Sequence, residues 1–387
     1  MKVPLLDLNH TLYDLRDEII EAVTKVIDST RYIMGPEIER LEKKIAEYCG
    51  TVDAVGVSSG TDALLLSLMV LNVGPGDLVL TSNFSFFATA GVVARLNAKP
   101  VFVDIDPKTY NIAPDRLRVT LSEMDVETLK RVKAIVPVHL YGQCADMKAI
   151  LNIAREFEIP VIEDCAQAIG AEYEIDGKKW QAGSLSEFGC FSFFPSKNLG
   201  GVGDGGIVTV NKPELAEQLR LKRVHGGERK YYHRVIGGNF RLDPIQAAVI
   251  RVKLPHLNHW HKQRQDNALY YNKLFGEKRL VGNVSVPQVM HNSQCLQNPH
   301  IFNQYVIRAK KRNELQSFLS EHEIASEVYY PLPFHLQECF RNLGWKAGDF
   351  PVSETAAEEV LALPVFPGLS RNMQEVVVEK IFEFYQD

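Results

Sequence analysis

The stretch VKAIVPVHLYGQCADMKAILNIAREFEIPVIEDCA, residues 132–166, sets two apolar, β-branched runs on either side of one amphipathic segment. "VKAIVPVHL" and "IPVIEDCA" have strand length, and "DMKAILNIAREF" carries its apolar residues at helical spacing. Continuous apolar strands joined through a helix read as neighbours in a parallel sheet covered on both faces. The same alternation extends upstream. "AVGVSSG" (54–60) reads as a strand, "TDALLLSLMVLN" as a helix, "DLVLTSN" as a strand, "FFATAGVVARLN" as a helix and "KPVFVDID" as a strand. Downstream, "EFGCFSFFP" and "GGIVTV" add two strand candidates. Amphipathic helices at 14–28 and 36–48 come first, the second with a proline near its first turn. The pattern predicts an α/β fold with a mostly parallel sheet.

After about residue 250 the texture changes. "IRVKLPHLNHWHKQRQDNALYYNKLF" predicts a long helical connection interrupted near Pro255. "QYVIRA" then reads as a strand, "RNELQSFLSEHE" as a helix and "ASEVYYP" as a strand. This predicts an N-terminal arm and large domain over residues 1–252 and a smaller α+β domain over residues 253–387.

With 387 residues and 45% hydrophobic content, the chain is long enough for two or three domain-sized units. A net charge of −5 without a basic block argues against nucleic acid or an anionic membrane as main partner. Six cysteines show no C-x-x-C pair, so neither a disulfide framework nor a metal site is expected, and a reducing cytoplasm is. No apolar run approaches the about 18 residues needed to span a bilayer.

Ligand sites in open α/β sheets lie beyond the carboxyl ends of the strands. At those ends stand Gly60-Thr61 entering a helix, Phe86 at the start of another, Asp164 with Gln167 three residues on, and Ser192 followed by Lys197 in "CFSFFPSKNLGGVGDGG" (190–206). Taken singly, Phe86 reads as core, "SGT" as an N-cap, Asp164 as a cap or surface carboxylate as readily as a ligand, and Lys197 as a surface charge. Together they form a phosphate cradle, an aromatic plate, a carboxylate and an amine, which is what pyridoxal 5′-phosphate requires. The glycines after Lys197 then give that lysine room to swing and let backbone pass close to a ligand.

With those residues in place, the chain resembles the DegT/StrS family of sugar-nucleotide aminotransferases. The matching segments are "GTDAL" (60–64), "GPGDLVLTSNFSFFATA" (74–90), "KPVFVDIDPKTYNI" (99–112), "PVHLYGQCADM" (137–147), "PVIEDCAQAIGA" (160–171), "FSFFPSKNLGGVGDGG" (191–206) and "NFRLDPIQAA" (239–248). The resemblance implies the fold type I architecture of the aspartate aminotransferase superfamily. It implies a pyridoxal-phosphate-dependent transfer of an amino group from L-glutamate to a keto sugar nucleotide, for cell-surface polysaccharide or lipopolysaccharide synthesis. Within the family the likeness leans toward the branch aminating position 3 of UDP-linked N-acetylated sugars, including uronates, with position 4 as the runner-up.

Carried onto this sequence, the resemblance makes Lys197 the Schiff-base lysine and Asp164 the partner of the pyridine nitrogen. Gln167 would contact the ring's phenolic oxygen, Phe86 would stack on the ring, and Gly60, Thr61 and Ser192 would hold the phosphate. Asn239 would reach the phosphate of a neighbouring subunit, implying a homodimer with shared active sites. Arg241, Arg229, Tyr329 and Tyr330 stand as substrate candidates. Tyr329-Tyr330-Pro331 departs from the His-Tyr that family members often show before that proline. Three rivals compete with the reading. A cofactor-binding regulator without transaminase activity would carry an effector segment, and a sugar dehydratase of the same fold would have histidine at position 197. A nucleotide-binding scaffold would hold no cofactor.

Overall fold

The computed structural model describes residues 1–280, 282–290 and 293–386. Its centre is a seven-stranded sheet built from β1 (Asp53–Val57), β2 (Leu78–Ser82), β3 (Lys99–Val103), β4 (Val132–Val136) and β5 (Ile162–Asp164). A side hairpin follows, β6 (Glu172–Ile175) with β7 (Lys178–Gln181), and then β8 (Phe188–Ser192) and β9 (Gly206–Val210) complete the sheet. Two hydrogen-bonded groups, β3-β2-β4 and β5-β8-β9-β1, join through parallel bridges at Ile135–Val161 and Val138–Asp164. The order is therefore β3-β2-β4-β5-β8-β9-β1, all parallel except β9, which runs against both neighbours.

Strand periodicity explains why helices cover both faces. Leu78 and Leu80 enter one core with Ile135 and Ile207, while Val79 enters the other with Ala134, Val136 and Val208. Successive side chains alternate across the sheet, so a strand apolar at every position needs an apolar partner on each side. The helices Pro36–Cys49, Met147–Glu156 and Pro244–Lys253 supply the first layer, and Gly60–Val70 and Ala88–Arg95 the second.

The reversed strand matters for the site. Ser192 pairs with Gly206 and the Phe193 amide bonds Gly205 O at 2.8 Å, so residues 193–205 form a closed loop beyond the carboxyl end of β8. No crossover helix fills this connection. It folds on itself, and backbone packing dictates glycine at Gly200 within it and at Gly206 where β9 begins. A Cβ on Gly200 would sit 2.3 Å from Pro195 O, and one on Gly206 would sit 2.4 Å from the Ser59 carbonyl carbon. Close approach of backbone to backbone is thus a more immediate reason for these glycines than freedom for the lysine.

Beyond Lys253 a short 3₁₀ turn at Leu254–His256 leads into the helix Leu257–Glu277, which marks the interruption expected near Pro255. A three-stranded antiparallel sheet, Val284–Ser285, Tyr305–Ala309 and Val360–Leu363, packs with helices Arg312–Glu321 and Arg371–Gln386 into a core of its own. Val3 joins that core and pairs with Ile324. The expected strand at "ASEVYYP" is absent. Only Glu327 pairs, with Ala362, and Pro331 and Pro333 deny the following segment its ladder donors. The irregular path carries Tyr329 and Tyr330 back to the large sheet.

Glu163, fully buried on β5, ties the centre together. One oxygen accepts from the Leu185 and Ser186 amides and the Ser186 hydroxyl, and the other from the Gly183 amide and His139 Nε2, all at 2.9–3.0 Å. Glu163→Leu would leave these donors buried without partners, so a loss of about 3 to 5 kcal/mol is expected in urea denaturation of the cofactor-free protein. A loss below about 1 kcal/mol would show that the carboxylate holds nothing in place.

Candidate active site

The carboxyl ends of β1, β2, β5 and β8 surround a cavity of about 450 Å³. Gly60, Thr61, Phe86, Asp164, Gln167, Ser192, Lys197, Tyr329 and Tyr330 all line it, so nine of the residues singled out from sequence meet there. Asn239 and Arg241 line a neighbouring cavity of about 620 Å³ that shares Ser59 and Asp204 with the first. Arg229 lies outside both, on an exposed hairpin formed by Gly227–Arg229 and Tyr232–His233.

Each wall has a local cause. Ser59 caps the helix Gly60–Val70 by accepting from the Asp62 amide at 3.1 Å. The amides of Gly60 and Thr61 remain as first-turn donors at the positive end of the helix dipole. Glycine is needed at 60 because a Cβ there would lie 2.7 Å from Ser192 Cβ. Phe86 is 58% exposed, so its ring is a cavity wall and not core; it sits 6.4 Å from the Tyr330 ring.

Asp164 is buried, with Oδ2 accepting from the Thr89 hydroxyl at 2.8 Å and Oδ1 from the Ala166 amide at 3.1 Å. Burial raises its carboxyl pKa, and these hydrogen bonds together with Lys197 oppose the rise. Burial pushes the Lys197 amine down to about 8, opposed by the Asp164 charge. A carboxylate favouring a nearby cation and an amine that readily loses its proton therefore face one space.

Gln167 uses both ends of its amide. Oε1 accepts from the Tyr141 amide at 2.6 Å, and Nε2 donates to the Tyr330 hydroxyl at 3.0 Å. Tyr141 donates its own hydroxyl to the Tyr329 carbonyl, which pins the Tyr329-Tyr330 segment to the ends of β4 and β5. Thr89, Tyr141, Asp204 and Gln304 are site residues that sequence reading missed. Thr89 had a usable signal, since it stands three residues after Phe86 at a helix start and so on the same face.

One further cluster, His139, Glu163 and Cys165, brings potential metal ligands together. Two of its three members are already engaged: His139 Nδ1 accepts from the Ala145 amide, and both Glu163 oxygens are filled as described above. It is a structural network.

The residues fit pyridoxal 5′-phosphate. There is an amine that gives up its proton more readily than an ordinary lysine, a buried carboxylate for the ring nitrogen, an aromatic plate, and a helix start for the phosphate. Fold and site define a pyridoxal-phosphate-dependent aminotransferase of fold type I. The chain belongs to the DegT/DnrJ/EryC1/StrS aminotransferase family, whose profile matches residues 13–382. A "Pleiotropic regulatory protein" of Geobacillus stearothermophilus is 49% identical over 100% of this chain and 99% of its own. A UDP-N-acetyl-3-dehydro-α-D-glucosamine 3-aminotransferase of Acidithiobacillus ferrooxidans is 40% identical, covering 95% of this chain and 94% of its own. A dTDP-3-amino-3,4,6-trideoxy-α-D-glucose transaminase of Streptomyces venezuelae is 38% identical over 99% and 96% of the two chains. The crystal structure of S. venezuelae DesV in complex with a ketimine intermediate superposes with a TM-score of 0.91 at 36% identity, covering 100% of this chain and 99% of that one.

The electrostatics give a signed expectation. In the cofactor-free protein, amine-selective labelling of Lys197, read by peptide mass spectrometry, should show a midpoint near pH 8. Asp164→Asn removes the charge that raises this pKa, so its midpoint should fall below that of the parent. A parent midpoint near the ordinary lysine value of about 10.4, or an upward shift in the variant, would contradict the assignment.

Proposed function

We propose that the protein transfers an amino group from L-glutamate to the 3-keto group of a sugar nucleotide, a UDP-linked 2-acetamido-3-oxo sugar or uronate. The product would serve cell-surface polysaccharide or lipopolysaccharide synthesis. The observation carrying this reading is the shared cavity of Lys197 and Asp164, with the amine lowered to about 8 and the carboxylate buried. The relative acting on a UDP-linked 3-keto sugar supports position 3, and the dTDP-linked relative makes the nucleotide a question for experiment.

Bound pyridoxal 5′-phosphate supplies an electron-withdrawing ring that makes the α C–H of an attached amine acidic. Asp164 would sit against the ring nitrogen and hold its proton there, which keeps the ring positive. Lys197 would hold the cofactor at rest and, once released, carry a proton between the donor's α-carbon and the cofactor's side carbon. An amine titrating near 8 suits that task near neutral pH. Gly60, Thr61 and Ser192 would bind the phosphate, Phe86 would lie on the ring, and Gln167 would donate toward the phenolic oxygen. Tyr329 and Tyr330 would flank the sugar.

The active form in this reading is a homodimer. Asn239 and Arg241 border the adjoining cavity, and the hairpin bearing Arg229 and the segment just after it expose Tyr231, Tyr232 and Ile236 at 83%, 73% and 84%. An apolar surface of that kind suits a second copy, whose own site these residues would complete. We also propose a functional division into residues 1–252 and 253–387, the small domain bringing Tyr329 and Tyr330 to the cavity.

The test offers glutamate and a panel of 3-oxo and 4-oxo UDP- and dTDP-sugars, made in situ, with products read by mass spectrometry. Amination of a UDP-linked 3-oxo sugar is expected, lost in Lys197→Ala and reduced at least about 100-fold in Asp164→Asn. Conversion of 4-oxo sugars alone would move the assignment to position 4. No conversion of any sugar by cofactor-loaded protein would favour a non-catalytic regulator; the Geobacillus relative is named a regulatory protein.

A further inference from the structure

The Asp164 carboxylate is held by two donors, the Ala166 amide on Oδ1 and the Thr89 hydroxyl on Oδ2. Thr89 is buried in the first turn of the helix Ala88–Arg95 and does not itself line the cavity, so it meets the site through Asp164. A hydroxyl has one proton to give, and Thr89 Oγ1 has two acceptors in reach. Asp164 Oδ2 lies at 2.8 Å and the Phe86 carbonyl at 3.2 Å. That carbonyl already accepts from the Thr89 amide, and a hydrogen bond to an ionised acceptor is roughly twice as strong as one to a neutral acceptor. The proton therefore goes to Asp164. The Thr89 oxygen is then left to accept, and Ser85 Oγ, on the cavity wall 3.3 Å away, can donate to it.

A donor on a carboxylate favours the ionised form and lowers its affinity for a proton. The Thr89 hydroxyl acts on Asp164 in that sense, against the upward push of burial. Where a carboxylate and a pyridine nitrogen share one proton, such a donor decides which of the two keeps it. Resting on the function proposed above, we propose that Thr89 is a positioning residue: its hydroxyl holds Asp164 ionised and in place, and so leaves the shared proton on the ring nitrogen of the cofactor. The helix start that presents Phe86 to the ring would then also set the ring's charge.

The test reads that proton directly. Pyridoxal 5′-phosphate carrying an NMR-active nitrogen isotope in its ring is bound to the protein, and the chemical shift of that nitrogen reports its protonation. Thr89→Val keeps the branched shape and removes the hydroxyl. The parent should show a protonated ring nitrogen, and Thr89→Val a shift toward the unprotonated position. Single-turnover rates with glutamate and with the keto sugar should both fall about 10-fold in that variant, with KM changed less than about threefold, because both half-reactions draw on the charged ring. Thr89→Ser restores the donor and should return shift and rates toward the parent. An unmoved nitrogen signal in Thr89→Val, whatever the rates, would assign Thr89 to packing alone and overturn the inference while leaving the role of Asp164 standing. A Thr89→Ser variant that behaves like Thr89→Val would overturn it too. An unprotonated ring nitrogen in the parent would overturn the role proposed for Asp164, and this inference with it.

Discussion

The site rests on one electrostatic arrangement, an amine and a carboxylate withdrawn from water into the same cavity. Burial penalises both charged forms, so each group's proton balance depends on the other and on whatever cation or carbonyl enters between them. Asp164 keeps its place through Thr89 and the Ala166 amide, without a contacting counter-charge of its own. A flat cationic ring would supply what that carboxylate lacks. The helix beginning at Gly60 provides a second, independent anchor at the opposite end of such a ligand.

The sheet makes this arrangement possible by reversing one strand. Had β8 been followed by a crossover helix, residues 193–205 would have been drawn away over a face. The antiparallel return of β9 instead holds that loop at the mouth of the sheet, where its backbone packs too tightly for any side chain at Gly200 or Gly206. Beneath it, Glu163 fastens β5 to the 183–186 turn and to His139, so the strand delivering Asp164 is fixed from behind. The carboxylate that lines the cavity and the one that fastens the strand are thus adjacent in sequence and point to opposite sides of the sheet.

Much of this was legible from sequence, and the reason is periodicity. Strands β1 to β5 announce themselves because burial on both faces forces continuous apolar runs, and strand ends in such sheets are where ligands bind. Lys197, Asp164, Gly60 and Phe86 fall at those ends, so local reading sufficed to bring them together. Residues whose role depends on a distant partner left no such mark. Glu163 looks like any acid before its five donors are assembled, and Tyr141 reveals its reach only once residue 329 lies beside it. The 325–331 segment failed for a related reason: Tyr329 and Tyr330 serve a cavity wall, while Pro331 at its end and a single bridge to Ala362 leave it no ladder.

Lys253 provides the sharpest internal control. It is a buried lysine, its amine also lowered to about 8 by burial, yet it donates to Gly200 O and packs near the Trp260 ring. If a low pKa alone selected the cofactor's lysine, the two would compete; in the function proposed above the cavity, which Lys197 lines and Lys253 does not, selects Lys197. Borohydride reduction of the cofactor-loaded protein, followed by peptide mass mapping, tests this directly. The account predicts a pyridoxyl group on the peptide containing Lys197 and on no other. A pyridoxyl mass on the Lys253 peptide, or on none, would contradict it.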